Sequence, residues 1–148
     1  MQSSTPRGIR NNNPGNIDHV AKNSWLGLDK NNPSDGRFCR FISPVYGIRA
    51  LAKLLRNYGN KSGEKGVGGP GIDTVQEVIN RWAPPKENNT GSYVNSVAKK
   101  LGVSAQQSID LNHEPTLIML CEAIIQHENG QQPYELGLLA EGVRMALR

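Results

Sequence analysis

The stretch Glu114-Pro115-Thr116-Leu117-Ile118-Met119-Leu120-Cys121-Glu122-Ala123-Ile124-Ile125-Gln126-His127-Glu128-Asn129-Gly130 decides the fold. Pro115 suits the first turn of a helix, where a missing N–H costs nothing. Asn129-Gly130 is a stop, because both residues tolerate the left-handed conformation that closes a helix. Between these signals Leu117, Leu120, Cys121, Ile124 and Ile125 recur at helical spacing. Ile118, Met119 and Ala123 extend the apolar surface around most of the circumference, which predicts a buried axial helix over Leu117–His127.

Glu128 lies at the C-terminal end of that helix, where the helix dipole disfavours negative charge. Burial would penalise the charged form further. A carboxylic acid that keeps its proton near neutral pH is what general-acid cleavage of a glycosidic bond requires. A solvated residue at a frayed helix end is the plainer alternative.

Outward from this helix the chain reads as mainly α, with a small α+β character, in one domain spanning residues 1–148. Its 148 residues suffice to bury a core without metals or disulfides. Ser43-Pro44 opens a helix carrying Ile48, Leu51, Ala52, Leu55 and Tyr58, which Gly59 ends. Thr74-Val75-Gln76-Glu77 is a capping box for a short helix that Ala83-Pro84-Pro85 stops. Thr90 can cap the next helix, with Tyr93, Val94, Val97 and Leu101 on one face and Gly102 at its end. Pro133 can begin a last helix using Tyr134, Leu138, Leu139 and Val143.

Residues 7–42 are different. Asn, Gly and Pro dominate Arg7–Ile17, which predicts a structured turn region. Arg37-Phe38-Cys39-Arg40-Phe41-Ile42 is the best strand candidate, so a small β-hairpin region is expected within residues 8–42. The glycine-rich stretch 60–71 lacks the Gly-Lys-Ser/Thr ending of a phosphate loop and reads as a surface loop.

Composition sets further bounds. Seventeen basic and thirteen acidic residues give a net charge of +4, with the basic residues scattered. That suits weak attraction to an anionic polymer and provides neither the aromatic–basic interleaving nor the helix-turn-helix signature of a specific nucleic-acid binder. Cys39 and Cys121 match no metal-ligand spacing and read as reduced core residues. The three histidines form no HExxH pair, and Cys121 and His127 point to different faces of one helix, so no cofactor, metal or nucleophilic dyad is expected. The N-terminus shows no apolar signal region, and no apolar run approaches the ~20 residues of a membrane span.

Three stretches carry a resemblance. Arg7-Gly8-Ile9-Arg10-Asn11-Asn12-Asn13-Pro14-Gly15-Asn16-Ile17, Asn80-Arg81-Trp82-Ala83-Pro84-Pro85-Lys86-Glu87-Asn88-Asn89-Thr90 and Ala123-Ile124-Ile125-Gln126-His127-Glu128-Asn129-Gly130-Gln131-Gln132-Pro133-Tyr134 resemble a family of phage and prophage lysozyme-like proteins. Members are described as virion structural proteins or as peptidoglycan-degrading transglycosylases. A weaker resemblance is to murein hydrolases of the glucosaminidase type. In these an apolar helix ending in Glu precedes a Gly-Ile-basic turn, a Trp-x-Gly, a Phe-x-aromatic strand and a Ser-initiated helix. Here Gly8-Ile9-Arg10, Trp25-Leu26-Gly27, Phe38 to Phe41 and Ser43 keep that order, while the helix ending in Glu stands at the other end of the chain. A circularly permuted lysozyme-like fold would account for this.

The resemblance implies a glycosidase, a muramidase or a lytic transglycosylase, that cleaves the β-1,4 glycan backbone of peptidoglycan. The acid would be Glu128, with Glu87 as the strongest second carboxylate; Asp18 and Asp35 lie in loops with less to support them. Arg10, Asn11, Asn13, Asn16, Trp82 and Tyr93 would line the glycan groove, since amides bond to hydroxyls and N-acetyl groups and rings stack on sugar faces. The partners implied are glycan strands and other virion proteins. Without a signal peptide, other machinery would have to deliver the protein to the periplasm or cell wall. The alternative function is a non-catalytic virion or secretion-apparatus protein that binds glycan.

Overall fold

The computed structural model describes residues 5–58, 72–83 and 90–148. Within them the protein is mainly helical, with α1 at Arg7–Arg10, α2 at Pro44–Tyr58, α3 at Val75–Trp82, α4 at Thr90–Leu101, α5 at Glu114–Asn129 and α6 at Leu136–Leu147. Helix α5 touches α1, α2, α4 and α6. It buries Leu117, Ile118, Leu120, Cys121, Ala123, Ile124 and Ile125, the set that the apolar spacing selects apart from Met119, which is half-buried. Gly130 closes it in the left-handed conformation at φ 70°.

The local signals explain the other helices. Thr74 accepts the Glu77 N–H at 3.1 Å, and the Glu77 carboxylate reaches back to the Asp73 N–H at 3.3 Å, a capping box shifted by one residue. Thr90 donates its hydroxyl to the Ala83 carbonyl at 2.9 Å, and the Ile72 N–H donates to the Tyr58 carbonyl at 3.1 Å. The last helix begins later than Pro133 suggests: Glu135 is its N-cap and Leu136 its first residue. Pro133 and Tyr134 lie in the preceding turn instead. Pro84, Pro85 and the 60–71 stretch lie outside the described residues.

Two helix contacts depend on glycine. Helices α2 and α6 form the most extensive helix pair, and a β-carbon on Gly142 would meet Ile48 Cγ2 at 2.5 Å. On Gly47 it would meet the Asn12 carbonyl oxygen at 1.9 Å, so α2 presses directly on the Asn-rich turn.

The expected hairpin region is present but irregular. Single antiparallel bridge pairs join Asp18 with Phe38, Ser34 with Cys39 and Leu28 with Phe41, and backbone bonds support them: Asp35 N–H donates to the Phe38 carbonyl and Arg40 N–H to the Pro33 carbonyl at 3.0 Å each, and Cys39 N–H to the Ile17 carbonyl at 2.9 Å. Side-chain amides supplement this interrupted ladder. Asn13 is wholly inaccessible; its Nδ2 donates to the Ile17 and Cys39 carbonyls at 3.0 Å each, and its Oδ1 accepts the Ile17 N–H at 3.0 Å. Asn12 donates to the Phe41 carbonyl at 2.9 Å. Asn12 and Asn16 adopt φ values of 54° and 52°, a region that asparagine reaches at lower cost than most residues. Cys39 and Cys121 are buried and free.

The glycine contacts give a paired prediction. Gly47→Ala should lower stability by ~1–3 kcal/mol or more, because backbone rather than a flexible side chain blocks the new methyl. Gly137→Ala, where a β-carbon meets nothing within 4 Å, should raise stability by ~0.4–1 kcal/mol. Thermal melting of both variants checks the signs.

Candidate functional site

The end of α5 meets the Asn-rich turn. Asn129 donates its amide to the Pro14 carbonyl at 2.9 Å and to the Ile125 carbonyl at 2.9 Å, pinning the turn to the last helical residues. Beside it the Glu128 carboxylate is half-buried and held on both oxygens. Tyr93 of α4 donates its hydroxyl to Oε2 at 3.2 Å, and Asn16 donates Nδ2 to Oε1 at 3.3 Å. Glu128 and Asn16 are 112 residues apart in sequence and meet in the folded chain.

Glu128 opens onto a cleft of about 610 Å³ between the loop layer and helices α2, α3 and α5. Four aromatic side chains line it, namely Trp25, Phe38, Tyr58 and Trp82. So do Asn16 and two further charged residues, Asp18 and Arg37, which pair at 3.2 Å. Planar rings around carboxylates in an open groove suit a ligand with alternating apolar and hydroxyl-bearing faces. Among the described residues no three His, Cys, Asp or Glu side chains converge as metal ligands, and no helix is long and apolar enough to cross a membrane.

The residues expected to line a groove divide. Asn16 and Trp82 do line it. Asn11 and Asn13 do not, being 3% and 0% exposed. Asn11 donates to Asp35 at 2.9 Å and accepts from Arg40 at 3.3 Å, so both asparagines hold the loop layer instead of offering amides to a ligand. Tyr93 is 1% exposed, so its ring cannot stack on a sugar; it stacks on His127 with centroids 3.6 Å apart and spends its hydroxyl on Glu128. Burial, and then the adjacent Glu128, push that hydroxyl far above its ordinary range, so it stays a donor. Arg10 is exposed at the end of α1, outside the cleft lining. Glu87 lies outside the described residues.

The cleft lining also includes Asp18, which the sequence favoured less than Glu87, and Phe38 and Tyr58, which the sequence did not single out for the groove. For Phe38 a signal exists, because Cys39 and Phe41 are buried and period-two alternation turns Phe38 to the other face. Its ring carries the Arg7 and Arg37 guanidinium groups at 4.5 and 4.7 Å from the centroid.

No protein-family model matches the chain. Protein P5 of Pseudoalteromonas phage PM2 is 37% identical to it over 138 residues, which cover 92% of this chain and 79% of that protein. The chain belongs to the family of this phage protein. Membership in the P5 family bears out the phage half of the resemblance and fits an association with virions.

Asp35 anchors the loop wall in this P5-family chain. It accepts from Arg7, Asn11 and the backbone N–H groups of Arg37 and Phe38. The Arg7 guanidinium, ahead of the other donors, holds its carboxyl far below the usual range. A folded-state value below the unfolded one stabilises the protein fully above the ordinary carboxylate pKa of ~3.9, and that stability falls progressively as pH drops from there through the folded value. Wild-type melting temperature should therefore drop below about pH 4, whereas Asp35→Asn should melt lower at pH 7 and show a flatter acid limb. Calorimetry from pH 7 to pH 2 measures both.

Proposed function

We propose that this protein is a peptidoglycan-degrading glycosidase of lysozyme-like type, carried by a phage particle, in which Glu128 protonates the glycosidic oxygen. The observation that carries this reading is the Glu128 carboxyl at the end of a buried helix, opening onto an aromatic-lined cleft of about 610 Å³. The rings would stack on sugar faces, and Asn16 and Arg37 would bond to hydroxyl, N-acetyl or lactyl groups. Support for a circularly permuted lysozyme-like arrangement comes from the contact of the Gly8-Ile9-Arg10 turn with the end of α5.

A hydrolase needs a second carboxylate at a defined distance, whereas a lytic transglycosylase lets the 6-hydroxyl of the sugar attack. Among the described residues Asp18 is the other carboxylate lining the cleft, so it stands as a second candidate beside Glu87, which lies outside them. Glu128→Gln keeps shape but cannot donate the proton, so it should lower muropeptide release from purified sacculi by ~10²–10⁴-fold. Mass spectrometry of the released products reads the rest. An equal loss in Asp18→Asn with reducing-end products marks a hydrolase; retained activity with 1,6-anhydro products marks a transglycosylase. Glu87→Gln as dead as expected for the acid, beside an active Glu128→Gln, would move the acid to Glu87. A wild-type protein that binds sacculi and releases nothing is the non-catalytic virion protein.

A further inference from the structure

Two buried carbonyl oxygens beside Glu128 lack a hydrogen-bond donor, Asn16 Oδ1 and Asn129 Oδ1. A β-carbon on Gly8 would meet them at 2.8 Å and 2.7 Å, so both face the same small space over Gly8. An unpaired buried carbonyl costs about 1–3 kcal/mol, and two acceptors facing each other without a hydrogen between them compound that cost.

The two amides are not equally free to reorient. Asn129 Nδ2 donates to two carbonyls, those of Pro14 and Ile125, so its Oδ1 is fixed as an acceptor. Asn16 Nδ2 has one partner, Glu128 Oε1. Its orientation is therefore set by the protonation state of Glu128. Facing a carboxylate, Asn16 must present its N–H₂. Facing a protonated Oε1, it must present Oδ1 to accept the proton, and a half-turn of the amide then brings Nδ2 towards Asn129 Oδ1. Tyr93 cannot replace Asn16 as acceptor without orphaning its own buried hydrogen, since Glu128 is its hydroxyl's one acceptor among the described residues.

We infer that Asn16 is the positioning residue for the proton of Glu128: the amide turns over when Glu128 is protonated, holding the proton on Oε1 and satisfying Asn129 at the same time. This deepens the glycosidase reading, since it names the group that would hold the acid's proton in place, and it rests on that reading only for its purpose. Other titratable groups lie close by. They are Asp18 and Arg37 of the loop layer, Tyr58 of α2, Tyr93 of α4 and His127 of α5; Arg7 of α1 is tied to Asp35, and Arg10 is exposed. Burial raises Tyr58 to about 12 and Tyr93 further, so neither changes charge in the acid range.

Nuclear magnetic resonance of the labelled full-length protein tests this without reference to activity. A β-carbon on Gly8 would meet Asn16 Oδ1 in the carboxylate state, so the nuclear Overhauser contact from the Gly8 α-protons to the Asn16 side-chain N–H₂ protons is weak there and strengthens after the turn. It should grow as pH falls, with the same midpoint as the Glu128 carboxyl ¹³C signal. In Glu128→Gln, whose amide donates towards Asn16 at every pH, the contact should be strong throughout. A contact whose intensity in wild type does not change with pH, or that follows the His127 ring signals, overturns the inference, as does a contact in Glu128→Gln no stronger than that of wild type at high pH. Should that variant fail to fold, the wild-type series alone decides. A protein that shows this growth yet releases no muropeptides keeps the amide turn and loses the glycosidase.

Discussion

Asn13 makes three buried hydrogen bonds with one side chain, and the layer over residues 7–42 depends on them. Among its described residues that layer pairs its backbone through isolated bridges and turns, with no regular sheet to reach every group. Buried peptide groups nevertheless have to be paired, because each one left open costs more than most contacts return. Asparagine solves this locally, offering a donor and an acceptor at the reach of a short side chain. Asp35 does the same for the neighbouring turn by gathering backbone and side-chain donors on one carboxylate. The cleft wall formed by Asp18, Trp25 and Phe38 rests on this amide and carboxylate scaffold.

The junction of that layer with α5 sets the chemistry of the cleft. Asn129 fixes the turn to the helix end, and Glu128, one residue earlier, is carried to the cleft with both oxygens engaged. Tyr93 supplies one of those bonds from a buried position, with His127 stacked on its ring. A carboxyl group restrained on both sides presents a defined direction for proton transfer, which is what positioned acid catalysis demands.

The helices were legible because their boundaries are written locally. Ser43-Pro44, the Thr74 to Glu77 box and Asn129-Gly130 each act through the residues beside them, and the structure follows all three. Pro133 misled, since proline is compatible with a first turn without imposing one, and Glu135 took the cap. The hairpin region is less regular than its pattern suggests, because alternation in Arg37–Ile42 reports which faces are buried, not how continuously the neighbours pair. The same blindness affected the site. Glu128 could be placed because a helix end locates it. Asn13 and Tyr93 have the right chemistry for a sugar, but composition does not say whether a polar group turns inward to the backbone or outward to a ligand. Asp18 had no local feature to recommend it, and only the fold brings it to the cleft.

The Tyr58 carbonyl accepts the Ile72 N–H, and the Ala83 carbonyl accepts the Thr90 hydroxyl. Tyr58 at the end of α2 is thus held to Ile72 just ahead of α3, and Ala83 at the end of α3 to the first residue of α4. Three helices are therefore kept in register by two bonds between described residues, one of them borne by a single hydroxyl.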